Sequence, residues 1–512
     1  MSPDALRVLG MVLAAGLAAG AIVLAAPRGR ALCMLAAFVV TPVLLVAEIW
    51  ETPQLAEVRS RPGLAIAATA LALLALGGLA ALFARRPGLL AALAVGALPF
   101  RIPVEAAGAT ASLLVPLYGV IGAGVLAWAV PRLRAARDSE DARPSRTLER
   151  LLAATVVLYA LQAAYSSDVE KALEQLIFFY VPFALLFSLL RELEWSQRRL
   201  IACLWVLVGL ALVFAVIGFV EYQTRELLLN PKVIASNQVE EYFRVNSLFF
   251  DPNIYGRFLA MVMIALATVL LWARAPRTLA LTVAALAVLW GGLVLTLSQS
   301  SFAGLLAGLL VLTALRFHVR WVSAAAGAAV VAALIAVLAF PGALRLDLGS
   351  SESIDRATSG RVDLMRGGLE LARERPLTGW GAGAFQQEYR RRQDSSSERA
   401  VSASHTIPIT VAAEQGIVGL AVYLALLAAA LARLLRGASA WPARAAVAAG
   451  FVALVVHTWL YAAFLEDPMT WTLLGVGVAL ARHRRVVPPE GQEAIAASAA
   501  TAPPRPRAAA GS

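Results

Sequence analysis

The sequence predicts an all-α polytopic membrane protein with about fourteen or fifteen transmembrane helices and one large external loop containing amphipathic helices. Three observations carry that prediction. Hydrophobic residues make up 60% of the 512 positions, mean hydropathy is +0.74, and only 15% of residues are charged, against about 25% charged in a soluble chain. The apolar residues gather in uncharged runs of the length needed to cross about 30 Å of hydrocarbon. The charges sit in short links between those runs. A β-barrel would instead show short segments of alternating polarity.

Taken in order, apolar runs fall at 6–26, 31–50, 63–84, 88–100, 111–131, 151–166, 175–190, 200–220, 254–273, 278–298, 300–316, 321–341, 406–432, 443–463 and 469–482. The 88–100 and 469–482 runs are short. The first run is read as a spanning helix, not a signal peptide, because the next begins within a few residues and no clean cleavage pattern follows. Links holding Arg28 and Arg30, Arg85 and Arg86, Arg132 to Arg150, Arg191 to Arg199, Arg274 and Arg277, Arg316 and Arg320, Arg433 to Arg444, and Arg482 to Arg485 are basic. The intervening links are acidic, mixed or neutral. By the positive-inside rule the basic set is cytoplasmic. The C-terminus is then inside, the N-terminus outside, and loops 221–253 and 342–405 share the outer face.

This divides the chain into a transmembrane bundle at 1–341, a large external loop at 342–405, C-terminal transmembrane helices at 406–485 and a tail at 486–512. The tail, rich in Pro and Ala without periodicity, is expected to be disordered. The net charge of +11 is explained by topology, so a nucleic-acid partner is not expected. Cys33 and Cys203 lie in apolar runs and read as buried thiols, without a disulfide or metal site.

The polar residues outside the runs are where chemistry can reside. Residues 361–375 place Val362, Met365, Leu369 and Leu371 largely on one helical face, which predicts an amphipathic helix at the membrane surface ending near Arg375-Pro376. Gly379-Trp380-Gly381-Ala382-Gly383 then makes a tight turn. His405 stands just before a helix expected to begin near Thr406, because Pro408 is tolerated only in a first turn. There it meets free backbone N–H groups and the positive end of a helix dipole, a favourable place for phosphate. It is either a proton acceptor for a hydroxyl or a capping surface histidine. Glu414, nine residues on, falls on the opposite helix face and reads as structural.

In the other outer loop, Arg244 is a candidate anion ligand or a headgroup-facing arginine. Asp251 or Asn253 is placed to cap the following helix. His318 and His483 fall in basic links and read as topological. His457, inside an apolar run near its outer end, reads as a hydrogen bond to a neighbouring helix, with a functional role worth testing. The outer loops carry no DxD and no HExxH, and the chain has no P-loop, so neither a metal nor an ATP-driven mechanism is expected.

From about Arg244 to Leu420 the chain resembles the O-antigen ligase and O-antigen polymerase superfamily, lipid-linked glycan transferases with a large periplasmic loop. The matching pieces are Arg244 with Asp251-Pro252-Asn253, Leu295-Thr296-Leu297-Ser298, Ser359-Gly360-Arg361, Pro376-Leu377-Thr378-Gly379-Trp380-Gly381-Ala382-Gly383-Ala384-Phe385, His405, and Glu414-Gln415-Gly416-Ile417-Val418-Gly419-Leu420. Leu98-Pro99-Phe100-Arg101 is also similar. Thr406 stands where the family commonly has Asn, and Gln299 where it often has Arg. The apparent extra N-terminal helices exceed the family's usual dozen.

The resemblance implies an inverting, metal-independent and cofactor-free glycosyltransferase. It would work on the outer face of the bacterial inner membrane, taking a glycan from an undecaprenyl-diphosphate lipid. Arg244 and Arg361 would hold the diphosphate and His405 would activate the acceptor hydroxyl, with Arg101, Asn253, Ser298 and Glu414 in support. The partners would be that donor, membrane lipids, and a lipid, glycan or protein acceptor. A ligase is the first reading; a polymerase and a protein-glycosylating member are alternatives of the same fold. A transporter is the alternative from another class, disfavoured by few membrane-embedded charges and no convincing inverted repeat.

Overall fold

The computed structural model describes residues 3–50, 56–106, 109–134, 145–228, 243–317, 361–392 and 406–482, with positions 234, 237 and 320. The expected helix at 321–341, His405, His318, His483 and the C-terminal tail lie outside the described residues.

Helices dominate, as expected for an all-α membrane protein. They are α1 (Pro3–Val23), α2 (Pro27–Ile49), α3 (Pro62–Arg85), α4 (Pro87–Ala97), α5 (Val115–Arg134) and α6 (Thr147–Gln162). Next come α7 (Val169–Gln175), which continues through one π-turn into α8 (Val181–Leu190), and then α9 (Gln197–Thr224), α10 (Pro252–Trp272), α11 (Pro276–Thr296) and α12 (Gln299–Arg316). After the undescribed interval follow α13 (Arg361–Glu374), α14 (Phe385–Arg392), α15 (Ile407–Leu435), α16 (Pro442–Leu460) and α17 (Pro468–Arg482). Many start with Pro at the first turn, where the missing N–H costs nothing. The π-turn at Leu176–Tyr180 brings Tyr180 flat against Tyr159, ring centroids 4.4 Å apart.

Among the described residues twelve helices are long and apolar enough to cross a membrane, counting α7–α8 as one. The short α4 and α17 also run between the two polar ends of the bundle. A Cβ at Gly88, at the start of α4, would lie 3.7 Å from Arg199 Nε, while Arg101 beyond its far end faces Asp467. Helix α17 starts beside Asp467 and ends at Arg482, whose Nη1 lies 3.3 Å from Glu192 Oε1.

Within this all-α fold one short element is extended. Strand β1 (Ile102–Ala106) pairs antiparallel with β2 (Ala109–Leu113), Ile102 opposite Leu113. Helix α5 therefore begins at Val115, not 111. Val, Ile and Thr in this stretch favour extended backbone, and both strands are edges, which tolerates Pro103.

The two ends of the bundle differ chemically. At one, called here the basic end, Arg30 Nη2 pairs with Glu192 Oε1 at 3.1 Å and Arg482 Nη2 with Glu149 Oε1 at 3.5 Å. Arg30 and Arg132 also lie over the Trp128 ring, 5.0 and 4.1 Å from its centroid. These residues come from basic links far apart in sequence. The opposite end carries Arg101, Arg244, Asp467 and the α13–α14 cap.

Two apolar cores fill the bundle: one from α1–α8, α15 and α17, the other from α10–α12, with α9 and α16 contributing to both. Small residues let helices approach closely where hydrophobicity gives no drive between them. A Cβ at Gly304 of α12 would sit 2.9 Å from the Ala453 carbonyl oxygen of α16. Helix α3 leaves Leu64, Ile66, Leu71 and Leu74 exposed, an outward face suited to lipid. A third, small core of Leu364, Leu371, Phe385, Tyr389 and Ala413 holds the cap onto α15.

Candidate active site

Arg244 is positioned by three elements. Asn237 clamps its backbone: Arg244 N donates to Asn237 Oδ1 at 3.1 Å, and Asn237 Nδ2 donates to Arg244 O at 3.0 Å. Glu221, near the end of α9, holds the following turn by accepting from the Asn246 and Ser247 backbones at 3.2 and 2.7 Å. The half-buried guanidinium then reaches the junction between α11 and α12. Its Nε donates to Thr296 O at 3.0 Å and its Nη2 to Asn253 Oδ1 at 3.2 Å. The rest of its donor fork remains for another ligand.

That junction is the Leu-Thr-Leu-Ser motif. Leu297 adopts left-handed backbone, φ 50°, which ends α11 and frees the Thr296 carbonyl. Ser298 caps α12, its Oγ accepting from Ser301 N at 3.3 Å, and it donates to Asn253 Oδ1 at 2.8 Å. Asp251 is the cap of α10, with Oδ1 accepting from Asn253 N at 2.6 Å. Arg244, Asn253 and Ser298 are therefore one hydrogen-bonded group. Behind it stand Ser300, Ser301 and His457, whose Nε2 lies 3.3 Å from Ser300 Oγ and 3.2 Å from Ser301 Oγ.

One turn deeper in α10 lies Arg257, fully buried, with Nη2 2.5 Å from Asp467 Oδ2 and Nη1 donating to Ala463 O at 3.3 Å. The Asp467 contact is an ion pair by distance without the alignment of a hydrogen bond. Arg101 and Asp467 line a cavity of about 10 Å³, room for about one water. Burial pulls the Arg101 pKa down, Asp467 opposes that, and Arg257 adds to it; a guanidinium stays charged regardless. Neither Arg257 nor Asp467 was singled out from sequence. The available signal was a charge inside an apolar run, four residues after Asn253.

Glu414 belongs to a different construction. Helix α15 breaks at Gly416, φ 64°, and the Pro376–Phe385 segment supplies the missing partners. Ile417 N donates to Pro376 O at 2.8 Å, Trp380 N to Ala413 O at 3.0 Å and Gly381 N to Glu414 O at 2.8 Å. Glu414 Oε1 accepts from Phe385 N at 3.2 Å. The same segment ties to the α6–α7 link, with Ser166 Oγ donating to Ala382 O at 2.7 Å and Tyr165 OH to Thr378 O at 2.7 Å. Between α7 and α14 opens a cleft of about 450 Å³ lined by Asp168, Glu170, Gln386, Gln387, Arg390 and Arg391.

Of the remaining candidates, Arg361 is the first residue of α13, as the amphipathic pattern anticipated for that helix. His405 lies outside the described residues, immediately before Thr406, the N-cap of α15. Helix α13 packs on α15, so the cap joins the helix that follows His405. Arg101 stands with Arg257 and Asp467, apart from the Arg244 group's own hydrogen bonds. Among the described residues no group of three or more His, Cys, Asp or Glu side chains gathers as a metal site would require.

Residues 284–424 match the family model described as O-antigen ligase. The match runs from within α11 through the cap into α15, so it contains Ser298, Arg361, His405 and Glu414 and leaves Arg101, Arg244, Asn253 and His457 outside. No curated protein matches the chain.

Proposed function

With an O-antigen ligase segment at residues 284–424 as its premise, we propose that the chain transfers a glycan from undecaprenyl diphosphate to an acceptor hydroxyl. The reaction takes place at the cap end of the bundle, on the outer face of the bacterial inner membrane. The acceptor oxygen attacks the anomeric carbon from the face opposite the diphosphate. The carbon–oxygen bond to the diphosphate breaks with inversion, and the lipid diphosphate leaves with the electron pair. The hydroxyl proton passes to His405 and from there to solvent.

The observation that carries this reading is Arg244, a half-buried guanidinium fixed by Thr296 O and Asn253 Oδ1 at the mouth of a membrane bundle. Fixed positive charge beside a departing diphosphate stabilises charge that develops in the transition state, and guanidinium matches phosphate oxygens bidentately. Arg361, at the start of a cap helix that packs on α15, supplies the second cation. With leaving-group charge neutralised by arginine and one imidazole as base, no metal enters the scheme. The polar cleft beside α14 suits a hydroxyl-rich chain approaching from outside the membrane.

Proteoliposomes supplied with lipid-linked glycan and acceptor test the proposal. Arg244→Ala, Arg361→Ala and His405→Ala are each expected to lose transfer by roughly a hundredfold or more while inserting normally. Full activity of His405→Ala would overturn the base assignment. A ladder of lengthened donor glycans, in place of one block on the acceptor, would identify a polymerase.

A further inference from the structure

We propose that His457 is a positioning residue for the donor diphosphate, acting through a one-way chain of hydrogen bonds that anchors the Asn253 amide oxygen against Arg244. The inference rests on the proposed role of Arg244 as diphosphate ligand.

The direction of the chain follows from counting hydrogens. Arg244 has only donors, so Asn253 must turn its oxygen toward it, 3.2 Å from Nη2. The same oxygen lies 2.8 Å from Ser298 Oγ, and an amide oxygen only accepts, so the single Ser298 hydrogen is spent there. The 2.8 Å contact between Ser298 and Ser301 hydroxyls must then be donated by Ser301. The Ser301 hydrogen is shared between Ser298 and the Asn253 carbonyl at 3.3 Å, and either way none remains for the imidazole. For the 3.2 Å contact between His457 Nε2 and Ser301 Oγ to be a hydrogen bond, Nε2 must donate; Ser300, 3.3 Å from Nε2, then turns its own hydrogen to Ser298 Oγ at 3.2 Å. Every hydrogen runs from α16 through the start of α12 to α10, where Arg244 meets it.

Packing makes this order hard to reverse. His457 is 1% exposed, and Ser298, Ser300 and Ser301 are 0% exposed, so no water competes for their bonds. A Cβ at Gly256 would stand 2.6 Å from Ser301 Oγ, so the missing side chain there admits the hydroxyl to α10. In a bilayer an unsatisfied hydroxyl or amide is costly. Removing the imidazole N–H leaves Ser301 one donor short and allows the serines to reorient. The Ser298 hydroxyl that anchors the Asn253 amide oxygen then loosens, and Asn253 no longer holds the Arg244 guanidinium at a fixed place for the diphosphate.

The test compares His457→Gln, which keeps a donor, with His457→Phe, which keeps bulk and loses it, in proteoliposomes with lipid-linked glycan. His457→Phe is expected to raise the donor KM by roughly five- to a hundredfold and leave the acceptor KM unchanged, while His457→Gln recovers most of the loss. Ser301→Ala cuts the same chain and is expected to reproduce the donor KM increase, which keeps the test available should His457→Phe fail to accumulate. An unchanged donor KM in His457→Phe, alongside an inactive Arg244→Ala, overturns the relay alone. Equal impairment of His457→Phe and His457→Gln overturns it too, since shape would then be the cause. Full activity of Arg244→Ala removes the functional reading on which the relay stands.

Discussion

Arg257 shows how much a single buried residue holds in this bundle. Its ion pair with Asp467 joins α10 to the segment entering α17, and both side chains are within 2% of complete burial. Removing one partner of such a pair strands the other, at a cost of about 3–5 kcal/mol. Arg257→Met is therefore expected to lower unfolding stability in detergent by about that amount, and Arg257→Met with Asp467→Leu to recover most of it. Chemical denaturation of the three proteins measures the difference. Glu466, the neighbouring residue outside the spans, answers to pH instead. Burial raises its pKa, its own backbone opposes that, and Asp467 adds to the rise while Lys171 opposes it. The folded state then holds a proton that the unfolded state releases, so stability falls as pH climbs from the ordinary carboxyl range through the raised value. Thermal unfolding of Glu466→Gln is expected to be flatter over that window and unchanged below it.

At the scale of elements, the instructive case is the break in α15. An interrupted helix inside a membrane protein needs substitute partners for its freed backbone groups, and the Pro-Leu-Thr-Gly-Trp-Gly-Ala-Gly segment provides them. Gly379 adopts φ +70°, and a Cβ there would lie 2.3 Å from the Glu414 backbone. Gly379→Ala is expected to cost at least about 1–3 kcal/mol from the backbone conformation alone and to loosen the cap. Gly63→Ala, in open space at the start of α3, is the control and is expected to leave stability nearly unchanged or slightly raised. Limited proteolysis and thermal unfolding of the two variants measure the contrast. The two sequence pieces, 376–385 and 414–420, were each visible as motifs. That they are halves of one joint was not, because residues 29 to 41 positions apart carry no local sign of their pairing.

At the scale of the whole molecule, the two ends differ in charge. Arg30, Arg132, Glu149, Glu192 and Arg482 converge at one end, and from loop charge we propose that this end faces the cytoplasm. Arg390→Cys on the cap and Arg198→Cys on the basic end, in a background with Cys33 and Cys203 replaced, test this. A membrane-impermeant thiol reagent is expected to label Arg390→Cys in intact cells and Arg198→Cys only after permeabilisation. The reverse pattern would invert the molecule and move the proposed reaction to the cytoplasm.

The sequence by itself determined the class of protein, most helix positions, the two polar ends and the motifs of the cap. Those depend on composition, run length and local spacing, which a chain displays without folding. It also marked Arg244, Asn253 and Ser298 separately. Only the tertiary structure joined them at the α10–α12 junction, paired Arg257 with Asp467, placed His457 behind the serines and drew a β-hairpin where an apolar helix was expected to begin. Those arrangements depend on which helix ends meet, and buried polar groups in a bundle must find partners on other helices at distances that sequence spacing does not record.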